Sequence, residues 1–194
     1  MTHVVLIRPG STEYDEQHRL QGALDLPLCD RGRAEVDDLA ERLREHEFAA
    51  VYSGPCASVL RTAEAIARAH GLRPRRVDEL RNVDFGLWQG LLLDELKRRN
   101  GRLFRLWVED PRSVCPPQGE SIELALDRIK GAVRPLIKRH RDEMIGLVAS
   151  NPLAHLISSY LRRSSKLRWT HEPSSATIES IEVSPEVLAN GESH

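Results

Sequence analysis

Alternation of short apolar runs with helical patterns predicts an α/β fold, a mostly parallel central sheet with helices on both faces. Three observations carry this. Residues 3–7, 48–52 and 145–149 are short apolar runs, the pattern of strands buried on both faces. A loop-forming group closes each run: Arg8-Pro9-Gly10, Ser53-Gly54-Pro55 and Asn151-Pro152. The intervals between them hold segments whose apolar residues recur at helical spacing.

The elements follow in order. His3 to Ile7 is the first strand. Asp30 then reads as the N-cap of an amphipathic helix carrying Ala34, Val36, Leu39, Ala40 and Leu43. Phe48 to Tyr52 is the second strand, and Cys56 to Ala69 a helix capped by Gly71. Leu80 to Gly90 has no clean period and reads as a loop, followed by a short helix from Leu91 to Arg99. Pro111 to Gly119 is a turn or loop. Glu120 to His140 is a long helix with an expected kink near Gly131 or Pro135. Ile145 to Ala149 is the next strand, and Asn151 reads as the cap of a helix with Pro152 in its first turn. Thr177 to Val183 is the last strand. The length of 194 residues fits one domain, placed at 1–189, with a disordered tail at 190–194.

Composition narrows the classes of function. The hydrophobic fraction is 40%, the charged fraction 29% and the formal net charge -1, so no overall positive field favours nucleic acid or an anionic membrane. Lys97 to Arg99 and Lys138 to Arg141 read as solvated helix faces. No apolar run approaches the ~20 residues that span a bilayer, and the first run is too short for a signal peptide. Cys29, Cys56 and Cys115 have no metal spacing and read as reduced thiols, which places the chain in the cytoplasm. No metal and no cofactor are expected.

Six stretches stand in one order. They are Leu6 to Asp15; Leu20-Gln21-Gly22 with Asp25, Pro27, Leu28, Gly32 and Ala34; Val51 to Pro55 leading to Arg61-Thr62-Ala63; Glu79 to Gly90; Pro117 with Gly119-Glu120-Ser121; and Val148 to Pro152. In this order and spacing the chain resembles the histidine phosphatase (phosphoglycerate mutase-like) superfamily. The resemblance implies that family's three-layer fold. It also implies phosphoryl transfer in which one histidine attacks phosphorus, two arginines and a second histidine hold its oxygens, and an acid protonates the leaving group.

Set against that pattern, four positions differ in kind. Pro9 stands at the nucleophile's place and has no lone pair to offer. Ser58 stands for the second arginine, Asn82 for the acid, and Asn151 for the second histidine. Arg8 matches the first arginine. It suits an oxygen pair of an anion, or an internal ion pair with Asp15 or Asp84. Arg61 lies three residues beyond Ser58, either reaching over to replace it or remaining on the surface. Asp84 reads as a displaced acid or a structural residue, and His155 as a basic contact or a polar helix residue. Ser11, Asp15, Gln21 and Gly22 complete the expected rim.

The four replacements weigh toward a non-catalytic relative. Its cleft would bind a phosphorylated or other anionic small molecule, or a protein partner. The alternative is a phosphomonoesterase, mutase or other enzyme using Arg8, Asp15, Arg61, Asp84 and His155 in the same cleft.

Overall fold

The computed structural model describes residues 1–164, 167 and 176–184. The core is a five-stranded sheet in the order β3-β2-β4-β1-β5. Its strands are β1 (Thr2–Ile7), β2 (Phe48–Ser53), β3 (Arg75–Arg76), β4 (Met144–Val148) and β5 (Ile178–Val183). Four run parallel, and β5 pairs antiparallel with β1. The three strands expected from the apolar runs are therefore neighbours, and the α/β class is as expected. The two-residue β3 has no apolar pattern, because both of its residues are exposed.

Alternation along the strands splits the core in two. Val4 and Leu6 of β1, Ala50 and Tyr52 of β2, and Ile145 and Leu147 of β4 face α6 (Ile122–Arg139) and α7 (Leu153–Leu161). Val5, Ile7, Val51 and Val148 face α2 (Asp30–Arg42) and α3 (Ala57–Ala69). Successive strand side chains point to opposite faces, so a strand buried on both must be apolar throughout. Near the chain start lies the short helix α1 (Glu13–Glu16). Two more helices, α4 (Leu93–Arg99) and α5 (Gly101–Glu109), extend the first core through Trp107, which meets Phe85 and Trp88 edge-on.

Local details correct several expected boundaries. The N-cap of α2 is Cys29, whose sulfur accepts from the Gly32 amide, and not Asp30. The cap of α7 is Pro152, because the Asn151 side chain is engaged elsewhere. Helix α6 is continuous from Ile122 to Arg139 with Pro135 inside it; Pro135 and Gly131 lie on its exposed face, where solvent reaches the carbonyl that loses a bond. The stretch 80–90 contains a 3-10 turn at Gly86–Trp88. The cap of α3 is as expected: Gly71 has φ +67, and Leu72 donates back to the Ala67 carbonyl at 2.8 Å. The expected tail at 190–194 lies outside the described residues.

Register places the site. Ile7, Val148 and Ser53 stand side by side at the ends of three parallel strands. The loops that follow them therefore open at one edge of the sheet, where open α/β folds bind ligands. Strand β5 runs the other way, so its first residues arrive at the same edge, with Ile178 opposite Ile7. The loop after β1 packs hard against α2. A Cβ on Gly32 would fall 2.0 Å from the Ser11 carbonyl oxygen, so only glycine fits there.

Candidate active site

Arg8 is the first residue beyond β1, and its side chain is only 12% exposed. Its Nε donates to Asn151 Oδ1 at 2.8 Å and its Nη1 to Thr177 Oγ1 at 3.0 Å. Nη2 has looser contacts, 3.5 Å from His155 Nδ1 and 3.8 Å from Glu179 Oε2. Backbone register fixes part of this, since the Arg8 amide donates to the Thr177 carbonyl at 2.9 Å. The expected pairing of Arg8 with Asp15 or Asp84 is corrected: its carboxylate is Glu179, 171 residues along the chain and adjacent only through the antiparallel β5.

Helix α7 supplies the rest of this cluster from one face. His155, Ser158 and, just past the helix end, Arg162 follow one another at helical spacing. Ser158 Oγ donates to Glu179 Oε1 at 2.7 Å and Arg162 Nε to the same oxygen at 3.0 Å. Burial raises the Glu179 pKa, but the Ser158 and Arg162 bonds and the two arginine charges more than offset it, leaving it below the usual 4.5. Burial lowers the His155 pKa from its usual 6.5, and the Arg8 charge lowers it further against a smaller opposing pull from Glu179. His155 is therefore a neutral imidazole at neutral pH.

The neighbouring positions are occupied differently. Pro9 is buried directly after Arg8. Asn82 is a strut: its Nδ2 donates to the carbonyls of Gly22 at 3.0 Å and Asn151 at 2.8 Å, and its Oδ1 accepts from the amides of Val83 at 2.9 Å and Leu153 at 3.2 Å. All four of its hydrogen-bonding positions are thus used by backbone. Ser58 is fully buried, and its Oγ has no hydrogen-bond partner among the described residues. Gln21 Nε2 is likewise buried without one. Gly22 sits at φ +57, a conformation that favours glycine, and a Cβ there would press on the Gln89 side chain, 2.5 Å from its Oε1.

The remaining expected rim residues point elsewhere. Asp15 closes the capping box of α1, taking both the amide and the hydroxyl of Thr12 at 2.7 Å. Ser11 bonds Glu35 at 2.8 Å and Arg31 at 3.0 Å, on the α2 side. Asp84 accepts from the Gly86 amide at 2.8 Å inside its own turn. Arg61 is 72% exposed and pairs with Glu64 at 3.0 Å, so it does not replace the missing charge at Ser58. Of the expected residues, the structure brings Arg8, Asn151 and His155 together, with Asn82 behind Asn151. Thr177, Ser158, Arg162 and Glu179 were not foreseen. The i, i+3, i+7 spacing of His155, Ser158 and Arg162 was the one sequence signal for them.

Comparison with known proteins fits this architecture. The sequence pattern of the histidine phosphatase superfamily (branch 1) matches residues 4–189. Phosphoserine phosphatase 1 of Hydrogenobacter thermophilus is 32% identical over 149 residues, 77% of this chain and 71% of that one. A bifunctional protein of Mycobacterium tuberculosis is 38% identical over 130 residues, 66% of this chain; the match spans only 35% of that protein. Among solved structures, the mycobacterial glucosyl-3-phosphoglycerate phosphatase superposes with a TM-score of 0.78 at 25% identity, over 92% of this chain and 88% of that one. These relatives correct the expectation of a non-catalytic binder, because two of the three are named as phosphatases and point to enzymatic activity.

Proposed function

The chain belongs to the histidine phosphatase superfamily, branch 1, and on that premise we propose that it is a phosphomonoesterase whose proton transfer runs through His155. The observation that carries this reading is the anchored guanidinium of Arg8 at the carboxyl edge of the sheet, in contact with a neutral imidazole. The names of the relatives supply the substrate class, phosphate monoesters.

Pro9 occupies the place where the family resemblance puts a nucleophilic histidine, and it cannot accept a phosphoryl group. Direct displacement by water avoids that need. Arg8 Nη2 takes a non-bridging phosphate oxygen, and the bonds of Nε and Nη1 to Asn151 and Thr177 keep the guanidinium oriented for it. Its weak contact with His155 Nδ1 is then given up, and that lone pair accepts a proton from the attacking water. The bond from the water oxygen to phosphorus forms as the ester bond breaks. The departing alkoxide, on the opposite side of phosphorus, takes a proton from solvent, and His155 returns its own to water, giving alcohol and inorganic phosphate.

The test is phosphate release from phenyl phosphate and phosphoserine by the purified protein. Arg8→Ala and His155→Ala are each expected to lower kcat/KM by about a hundredfold or more. Labelled oxygen from water is expected in the released phosphate, with no phosphohistidine trapped on the protein. Phosphate release no faster than in buffer, or turnover indifferent to both substitutions, would overturn the reading.

A further inference from the structure

The formal net charge of -1 is an average, and one surface departs from it. Between residues 97 and 106, across the end of α4 and most of α5, Lys97, Arg98, Arg99, Arg102 and Arg105 are all exposed and no acid intervenes. Arg99 pairs with Glu95 at 2.6 Å; the other four form no ion pair among the described residues. The expectation that Lys97 to Arg99 simply face solvent leaves out the two arginines of α5 and the leucines beside them. We propose that α4 and α5 dock the protein on an anionic phospholipid surface, with Leu103 and Leu106 entering its interfacial layer.

Both helices turn one face inward and the other out. Leu96 of α4 and Trp107 of α5 are buried in the same core. A helix turns about 100° per residue, so Arg98, two residues from Leu96, and Arg105, two residues from Trp107, lie nearly opposite them. Round α5 from Trp107, Leu103, Leu106 and Arg102 follow at about 40°, 100° and 140°. Leu103 and Leu106 are 39% and 42% exposed, so this flank passes from apolar to cationic, with Glu109 as the acid of the last turn. A helix lying in a membrane interface has this arrangement: its leucines leave water for the acyl boundary while its guanidinium groups stay among anionic headgroups. A nucleic acid would meet the charge but offer the leucines nothing. The rings that could stack on bases, Phe104 and Trp107, are packed into the core. The contact is peripheral, since no helix among the described residues is long and apolar enough to cross a membrane.

The probes are vesicles of phosphatidylcholine alone and of phosphatidylcholine with about one third phosphatidylserine, and binding is read by cosedimentation at low and high salt. Each variant is first checked for folding by circular dichroism. The wild type is expected to bind the anionic vesicles at least about tenfold more tightly than the neutral ones, and to release them as salt rises. Arg102→Gln with Arg105→Gln is expected to weaken that binding about twentyfold. Leu103→Ser with Leu106→Ser is expected to weaken it about tenfold while leaving the charge intact. Lys138→Gln with Arg139→Gln removes the same charge from the exposed end of α6 and is expected to stay within about twofold of wild type. Wild type that binds neither vesicle, or both equally, overturns the proposal. So does an equal loss in the Lys138 and Arg139 variant, which would make the effect one of total charge. Unchanged binding in the folded leucine variant overturns the lipid as occupant and leaves a surface that any polyanion satisfies. If that variant does not fold, Leu106→Ser alone decides, unchanged binding again overturning the proposal. None of these positions touches Arg8 or His155, so phosphate release tests the phosphatase reading separately.

Discussion

Arg8 illustrates how a residue can be legible while its surroundings are not. Its identity and place after the first strand were readable from the motif of residues 6–15. Its partners were not, because Thr177 and Glu179 come to it through an antiparallel edge strand that closes the sheet at the far end of the sequence. Asp15 and Asp84, the acids read as its partners, are instead spent on local turns. The same neighbourhood sets a pH dependence. His155 acts as a base only when unprotonated, and both burial and the Arg8 charge lower its pKa from 6.5. Activity is thus expected to persist below pH 6.5 and to fall as pH drops through the depressed value. Arg8→Gln removes the second of these causes, so the acid limb of its kcat/KM profile should move upward toward 6.5 even as the rate itself drops. A limb that stays in place would detach His155 from the rate-determining proton transfer.

At the scale of elements, the apolar runs announced β1, β2 and β4 because each is buried on both faces. By contrast, α5 and β3 went unseen: α5 takes its place from Trp107 packing against Phe85 and Trp88, and β3 from backbone pairing alone. What holds the site's loops to one another was equally hidden. Asn82 joins the loop at Gly22, the loop at Asn151 and the start of α7 through three of its four bonds, the fourth holding its own neighbour Val83. Read as an altered acid, it looked like a loss; in the structure it is an amide doing what a carboxylate cannot, since two of those bonds need N–H donors. Asn82→Asp is therefore expected to lower thermal stability rather than restore a proton donor. Both carbonyls would face a buried carboxylate, at a cost of about 1–3 kcal/mol for each bond lost. Thermal unfolding and phosphate release measured on the same preparation check this. A variant as stable as wild type, with faster turnover, would return Asn82 to the role of a vacant acid position.

For the whole molecule, the question is whether two cores behave as one. The sheet separates them. Ile129 of α6 is fully buried on one side and Ile66 of α3 on the other. Trp88 and Trp107, the tryptophans among the described residues, both lie on the Ile129 side. Strands β1, β2 and β4 each give alternate side chains to both cores, so neither core can melt without stripping one face of the shared strands. The reading of residues 1–189 as one domain requires that coupling. Ile129→Ala and Ile66→Ala are each expected to cost about 2–5 kcal/mol, because both leave a cavity in a close-packed interior. The informative variant is Ile66→Ala. Its cavity is on the face away from both tryptophans, yet it should shift the urea midpoint seen by tryptophan fluorescence as far as the midpoint seen by far-ultraviolet circular dichroism. If fluorescence instead reports an unmoved transition while circular dichroism moves, the α2–α3 layer unfolds by itself and the one-domain reading fails. Coincident shifts in both signals would mean that the scaffold holding Arg8, His155 and Glu179 is stabilised by the core beneath α3 as much as by the one beneath α7.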